Sequence, residues 1–205
     1  MFRTTIIALA FLTHVISAKS LPIAPSPAQQ HGLSMQQGSN QLDSKEQLSR
    51  AIEYFQSGKY HEALLLFNIL SKEYTLNYRF QAYIGVCNFY DRNYEQTIAI
   101  FDSIMPRLDK FAPHEQSIYY YCAAESNYQL KHYAESLRLF EHQFLLCFNN
   151  EKGDALLRIG LCHRQLGNIP TAQEYLQQAV AYYRRFNDSY KLKQVEREMK
   201  YMSEE

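Results

Sequence analysis

A ten-residue pattern recurs four times along the chain, and it limits the possible fold more than any other feature. Each copy begins with a turn-like pair, which is followed by an aromatic residue or Ile. A small residue lies three positions after that residue, and a large apolar residue lies four positions after the small one. The copies are GKYHEALLLF (58–67), RNYEQTIAIF (92–101), KHYAESLRLF (131–140) and GNIPTAQEYL (167–176). Their aromatic or Ile anchors lie 34, 39 and 36 residues apart. A helical period near 34 residues is typical of stacked helical hairpins.

Each copy is predicted to be the second helix of a hairpin. In the first copy Tyr60, Ala63 and Phe67 recur at three and four residues, which is the spacing of one face of an amphipathic helix. The segment upstream repeats this spacing through Ala51 and Tyr54, so it is predicted to be the first helix. The unit implied is a pair of antiparallel helices.

Proline residues indicate where the hairpins are joined. Pro106 and Pro113 bracket a predicted loop that accounts for the longer second interval. Pro170 falls in the first turn of a predicted helix, where a residue without an amide donor is tolerated.

These repeats resemble the tetratricopeptide repeat, whose pattern is W-x2-L-G-x2-Y followed by A-x3-F. The resemblance covers about residues 44–186. Small residues at the Gly position let the two helices of a hairpin approach closely; they are Ala51, Gly85, Ala124 and Gly160. The A-x3-F pairs are Ala63/Phe67, Thr97/Phe101, Ser136/Phe140 and Ala172/Leu176. The chain departs from the family at the Trp position, which holds Gln47, Gln81, Tyr120 and Leu156, and no repeat ends on the family's Pro.

The resemblance implies an all-α fold: a right-handed superhelical solenoid of about four helix-turn-helix hairpins, plus a C-terminal capping helix, over residues 44–205. The last segment has Leu192, Val195, Met199 and Met202 on one stripe, as a helix that covers the last repeat requires. Asp188 is its predicted N-cap. The alternative is an ordinary helical bundle, which the regular spacing disfavours.

The first twenty residues are predicted to be a signal peptide. Arg3 precedes an apolar run over residues 6–16, and small residues follow at Ser17, Ala18 and Ser20. An uncleaved membrane anchor is the alternative, although the run is short for a bilayer. Residues 21–43 are rich in Pro, Gln, Ser and Gly, so they are predicted to be a disordered linker.

Composition and motifs exclude several function classes. Lys plus Arg and Asp plus Glu both number 21, whereas a nucleic-acid-binding protein concentrates Lys and Arg. His61-Glu62 and His114-Glu115 lack the second His of a zinc-protease helix. The sequence has no Gly-rich phosphate loop and no GxSxG motif. We therefore predict no enzyme, no catalytic residue, no metal site and no cofactor.

The four cysteines are predicted to be buried free thiols. Cys87 and Cys162 occupy equivalent positions two repeats apart, which is too far for disulfide geometry. Cys122 and Cys147 lie at mismatched heights on the two helices of the third hairpin. Free Cys commonly behaves as a small buried hydrophobe.

The family resemblance also implies where a partner would bind. In tetratricopeptide proteins the first helix of each hairpin lines the concave surface. The implied inward residues are Leu48, Ile52, Phe55, Ala82, Val86, Phe89, Tyr90, Tyr121, Glu125, Tyr128, Asp154, Leu157, Leu161 and Arg164. From these, the predicted partner-binding groove comprises Phe55, Phe89, Tyr90, Tyr121, Glu125, Tyr128 and Arg164. The alternative is that the aromatic rings fill the gaps between adjacent hairpins.

Some family members clamp a partner's carboxylates with Lys, Asn and Arg on these helices. The matching positions here cannot do so, because they hold Leu48, Ile52, Tyr83, Ile118 and Cys122.

The predicted function is an exported scaffold or adaptor, periplasmic or secreted, that binds a protein or peptide partner in the groove. No nucleic-acid partner is expected, nor a membrane span once the signal is removed. The alternative function is a carbohydrate-binding accessory protein, because Tyr and Phe rings also stack on sugars. The chain has no Trp, which such proteins usually use.

Overall fold

The computed structural model describes the backbone of residues 36–204, and the side chains of residues 44–202 except Asn150. The predicted signal peptide, and the linker up to residue 35, lie outside the described residues. The described part of the chain forms two compact units, residues 36–77 and residues 78–204.

The first unit is a single helical hairpin. Helix α1 spans Gln36–Gln56 and α2 spans Tyr60–Glu73. Helix α1 thus begins inside the segment 21–43 that was predicted to be a linker. The core of this hairpin is made by small and large apolar side chains from both helices; they are Ala51, Phe55, Ala63, Leu64, Phe67 and Leu70.

The second unit contains three hairpins and a final helix. The hairpins are α3 (Tyr78–Tyr90) with α4 (Tyr94–Ile104), α5 (Pro113–Gln129) with α6 (Tyr133–Leu146), and α7 (Lys152–Gln165) with α8 (Ile169–Arg185). The final helix is α9, Ser189–Glu204. Each helix packs against the next along the chain, so the predicted all-α repeat architecture is confirmed. No helix in residues 36–204 is both long enough and apolar enough to cross a membrane.

Small residues allow the close approach of the helices within a hairpin, as predicted. A β-carbon on Gly85 would lie 2.8 Å from the Phe101 ring, and one on Gly160 would lie 3.0 Å from Leu176. Ser136, which replaces the family's Ala, donates its hydroxyl to the Ala124 carbonyl at 2.9 Å. The polar substitution is therefore satisfied inside the third hairpin.

The turn inside every hairpin has one backbone geometry. A residue with positive φ follows the first helix each time; these residues are Gly58 (75°), Arg92 (62°), Lys131 (64°) and Gly167 (79°). The next amide donates to the carbonyl five residues back, for example Lys59 to Tyr54 at 2.8 Å and Asn93 to Asn88 at 2.9 Å. This is the Schellman ending, which favours Gly because it has no β-carbon.

The connections between hairpins carry the extra residues. The segment predicted to be a plain loop around Pro106 contains a 3₁₀ helix, Met105–Lys110, and α5 begins at Pro113 itself. Each Pro lies in the first positions of a helix, where its missing amide donor is not needed. The predicted loop between the two Pro residues is therefore partly helical, and both Pro residues occupy the helix-start position that was predicted for Pro170. A second 3₁₀ helix, Asn149–Glu151, precedes α7.

Helix α9 caps the second unit as predicted. Val195 is fully buried and Met202 nearly so, and Leu192 and Met199 pack on the same core, which includes Leu176 of α8. The Asp188 side chain accepts a hydrogen bond from the Lys191 amide at 3.0 Å, which confirms the predicted N-cap.

Candidate partner-binding site

Residues from the first helices of the second unit form one contiguous group, which we call the first-helix cluster. The aromatic part begins on α3, where the Phe89 ring contacts Tyr90 edge-on with centroids 5.2 Å apart. Phe89 also meets Tyr121 of α5 at 5.9 Å and 77° between ring planes. The cluster consists of Phe89, Tyr90, Tyr121, Glu125, Tyr128 and Arg158.

The polar part of the cluster joins α5 to α7. Arg158 Nη2 lies 3.0 Å from Glu125 Oε2, and the Arg158 guanidinium stands 5.6 Å from the centroid of the Tyr128 ring. The Tyr121 hydroxyl also lies close enough to interact with the charge of Arg158. The second carboxylate oxygen of Glu125 accepts a hydrogen bond from Gln129 Nε2 at 2.8 Å. One guanidinium thus contacts a carboxylate and two aromatic residues.

Burial differs sharply between the two members of this ion pair. Glu125 is 5% exposed, and a charge buried to this degree requires a partner. The Arg158 side chain is 29% exposed, so the guanidinium reaches the surface while the carboxylate does not. A guanidinium has five N–H donors in a plane, so it can bind Glu125 and still offer donors outward.

The protonation states of the cluster follow from this packing. Burial and the nearby Glu125 carboxylate raise the pKa of Tyr121 to about 12. Burial also raises the pKa of Tyr128. Burial by itself would lower the pKa of Arg158, but Glu125 and the two tyrosines raise it above its usual value. At neutral pH both hydroxyls therefore stay protonated and the guanidinium stays charged.

Sequence reasoning missed Arg158. It occupies the position in the fourth repeat that matches Tyr83 and Cys122 in the second and third repeats. The matched clamp positions in the first three repeats hold no charged residue, whereas the fourth repeat has Arg158 there. Extending the repeat alignment by one unit would have found it.

Two predicted groove residues lie outside the cluster. Phe55 belongs to the first unit, where it is 7% exposed and its ring meets Tyr60 edge-on at 5.6 Å. It therefore contributes to the core of its own hairpin. Arg164 of α7 pairs with Glu198 of α9 at 3.1 Å, and so ties the last hairpin to the capping helix.

The first-helix cluster combines partly exposed aromatic rings with a charged guanidinium. Tyr90 is 42% exposed, and Phe89, Tyr121 and Tyr128 are each half-buried. Rigid rings beside a charge-paired Arg resemble the anchors that dominate protein interfaces. Such a surface can pack on apolar side chains and donate hydrogen bonds to carbonyl groups.

The cysteines are free and buried, as predicted. Burial raises the pKa of all four thiols, and for Cys147 and Cys162 it reaches about 11. Nucleophilic thiolates are therefore scarce at neutral pH. Within residues 36–204, no group of three or more His, Cys, Asp or Glu side chains could hold a metal ion.

Comparison with known proteins points to the same fold. A tetratricopeptide-repeat family model matches residues 154–194, the end of the second unit. Two crystal structures of MamA superpose with TM-scores of 0.57 at 14% identity, covering 74% and 75% of this chain and 84% and 80% of theirs. A kinesin light chain from Podosopora anserina with nearly identical tetratricopeptide-like repeats gives a TM-score of 0.52 at 13% identity, covering 78% of this chain and 94% of its own. None of the curated proteins compared matches the sequence.

At such identities the superpositions establish the fold alone. The family match comes from the sequence and is independent of them, although it covers only the fourth hairpin and the start of α9. Proteins of this family are generally non-enzymatic scaffolds for other proteins. The family match identifies a tetratricopeptide repeat at residues 154–194, and the stacked hairpins of the described residues have the fold of a tetratricopeptide-repeat solenoid.

Proposed function

We propose that this protein is an exported scaffold that binds a segment of a partner protein along the first-helix cluster. The observation that carries the proposal is that this cluster presents an aromatic ring and a guanidinium at the surface above a buried carboxylate that pairs with the guanidinium. Tyr90 is 42% exposed and the Arg158 side chain 29% exposed, while Glu125 beneath them is 5% exposed. The buried carboxylate orients the guanidinium without competing for the surface.

The proposed partner is an extended or helical peptide segment with apolar side chains. The rings of Phe89, Tyr121 and Tyr128 are held by contacts with one another or with Arg158, so little side-chain entropy is lost on binding. The remaining donors of Arg158 suit backbone carbonyl oxygens of the segment. The partner segment is thus recognised through apolar contacts and a few hydrogen bonds of fixed geometry.

Site-specific photo-crosslinking tests the site. A benzoylphenylalanine in place of Tyr90 is expected to capture a partner in cells that produce the protein. The matched control replaces Tyr201, which is 50% exposed near the end of α9 and remote in sequence from the cluster. Equal capture from the two positions, or none from Tyr90, would contradict the site. Competition by a free oligosaccharide would instead indicate the carbohydrate-binding alternative.

Export is tested separately by sequencing the N-terminus of the native protein. The layout of residues 1–20 predicts that the mature chain begins at Lys19 or Leu21. An intact Met1 in the membrane fraction would favour the anchor. An intact Met1 in the cytoplasm would remove export from the proposal but leave the partner site standing.

A further inference from the structure

One edge of the second unit collects the connections between hairpins. Because antiparallel helices alternate in direction, every link from a second helix to the next first helix lies at the same end of the stack. The N-terminus of α3 lies at that end too. We call this surface the connection edge and define it as residues 78–79, 105–115, 145–154 and 183–193.

Contacts between successive connections make the edge continuous, beginning at α3. Arg107 of the 3₁₀ helix stands over the Tyr78 ring at 5.4 Å, and Arg79 stands over Phe111 at 5.0 Å. Arg79 also pairs with Glu115 at 3.0 Å. The start of α3 is thereby joined to the first connection.

The same continuity extends to α9. His114 stacks on Phe148 with centroids 3.8 Å apart, which joins the first connection to the second. Asp154 accepts a hydrogen bond from Tyr183 at 2.6 Å and pairs with Lys191 at 2.5 Å, which joins the second to the third. The connections therefore form one surface.

Large apolar side chains protrude from this edge. Leu145 is 75% exposed, Phe148 55%, Phe186 51% and Tyr190 76%. They lie at the ends of α6 and α8, in the second connection and at the start of α9. Leu145 and Tyr190 are the two most exposed large hydrophobic side chains among the described residues.

The outward charge of the edge is basic. Its segments contain eight Lys and Arg against five Asp and Glu. Several of these charges pair with one another or with neighbouring groups. Arg79 pairs with Glu115, Lys191 with Asp154 and Arg184 with Glu196 of α9, while Glu151 accepts from the Phe148 amide and Asp188 caps α9. In contrast, Arg107, Lys110, Arg185 and Lys193 are exposed.

We propose that the connection edge docks on an anionic phospholipid surface. Basic side chains near such a surface are attracted to its negative potential, and aromatic side chains prefer the level of the headgroups. Arg107 over Tyr78 and Arg185 beside Phe186, at 5.8 Å, combine both features in one contact. The apolar tips insert among the headgroups while the basic side chains remain at the lipid phosphates. This site is independent of the proposed partner site.

Tryptophan fluorescence tests the orientation directly, because the chain contains no Trp. The full-length variant Tyr190→Trp places one fluorophore at the first turn of α9. Its control, Tyr201→Trp, lies on the same helix about 16 Å away, from the helical rise per residue. Vesicles that mix phosphatidylglycerol with phosphatidylcholine are expected to shift the Tyr190→Trp emission to shorter wavelength and leave that of Tyr201→Trp unchanged. An equal shift, or none, overturns the proposal.

Charge reversal tests the electrostatic part by vesicle sedimentation. Lys110→Glu with Arg185→Glu changes the edge, and Arg92→Glu with Lys131→Glu changes net charge equally at the turns inside hairpins. The edge variant is expected to lose at least about tenfold in partitioning to anionic vesicles, because each basic residue contributes about fivefold. The turn variant is expected to lose less than about threefold. Circular dichroism checks that both fold.

Neutral phosphatidylcholine vesicles control for the apolar run at residues 6–16, which every variant carries. Equal binding to neutral and anionic vesicles would assign the affinity to that run and overturn the proposal. An equal loss in the two charge variants would also overturn it, since net charge alone would then account for binding. If vesicles fail to bind but polyglutamate binds the wild type and not the edge variant, the edge takes an acidic protein and the lipid proposal is wrong.

Discussion

Gly85 of α3 and Phe101 of α4 meet so closely that a β-carbon on Gly85 would lie 2.8 Å from Cζ of the Phe101 ring. Phe101 is fully buried, so its ring has little room to move. The fourth hairpin has the same arrangement in a softer form, with Gly160 against Leu176 at 3.0 Å. Leu176 is fully buried as well, but its contact at 3.0 Å requires a smaller shift than the contact of the Phe101 ring at 2.8 Å.

Gly85→Ala is therefore expected to destabilise the protein by about 1–2 kcal/mol, since overpacking a well-filled core forces backbone or ring shifts. Gly160→Ala is the matched control. Alanine gains about 1 kcal/mol of helix propensity over Gly at both sites. The difference between the variants therefore compares the ring contact of Gly85 with the looser contact of Gly160 with Leu176. Urea unfolding measures both, and equal unfolding free energies would contradict the expected role of Phe101.

Two hairpin turns have a residue that is unsuited to their backbone. Arg92 and Lys131 adopt φ of 62° and 64°, where Gly58 and Gly167 stand in the other hairpins. We expect Arg92→Gly and Lys131→Gly each to raise stability by about 0.5–1 kcal/mol, because the left-handed conformation strains residues with a β-carbon. Thermal unfolding measures the gain.

Gly167→Lys provides the reverse experiment for these turns. No atom lies within 4 Å of a β-carbon built on Gly167, so any loss comes from backbone strain and not from a clash. The free energy of unfolding of Gly167→Lys is expected to fall by about 1 kcal/mol. A melting temperature that falls in Arg92→Gly would show that the Arg side chain outweighs the strain.

The repeat could be predicted from the sequence, because its period and the positions of its small residues are local signals. Ala51, Gly85, Ala124 and Gly160 are all buried, and Gly85 and Gly160 face the second helix of their hairpins as predicted. The cap at Asp188 was predictable for the same reason, since a cap depends on the residues next to it. The positive φ at Arg92 and Lys131 was not predicted, because Arg and Lys do not favour that conformation and only their alignment with Gly58 and Gly167 indicates it.

The candidate site was predicted only in part, because it depends on contacts between repeats. That Phe89 would meet Tyr121 requires the relative rotation of α3 and α5, which the sequence does not specify. The pairing of Glu125 with Arg158 spans two hairpins. Repeat alignment placed Glu125 on the inner face, but only packing identifies the residue that neutralises it.

The buried thiols predict a loss of stability at alkaline pH. Burial raises the pKa of Cys147 and Cys162 to about 11, above the value of about 8.5 in an unfolded chain. The unfolded chain therefore releases these protons first, so their contribution is complete below pH about 8.5 and is lost as pH rises towards about 11. Melting temperature should fall across this window, and less steeply in Cys162→Ala. An identical slope in that variant would contradict the assignment.

The Arg158–Glu125 pair and the Arg164–Glu198 pair differ in the burial of their carboxylates, so removing the Arg from each is expected to cost a different free energy of unfolding. Arg158→Met leaves a carboxylate buried without its cation, which typically costs about 3–5 kcal/mol. Arg164→Met is the control, because its partner Glu198 has a side chain 29% exposed and water can replace the Arg. We expect that variant to lose no more than about 1 kcal/mol in urea unfolding.

The double variant Glu125→Leu with Arg158→Met separates stability from recognition. Removing both charges is expected to restore most of the unfolding free energy, since an apolar pair of similar volume can replace a buried ion pair. If Arg158 also binds the partner, crosslinking from position 90 should remain weak in this well-folded protein. Recovery of crosslinking together with stability would show that Arg158 acts only within the fold. The exposed rings of the first-helix cluster would then account for binding without it.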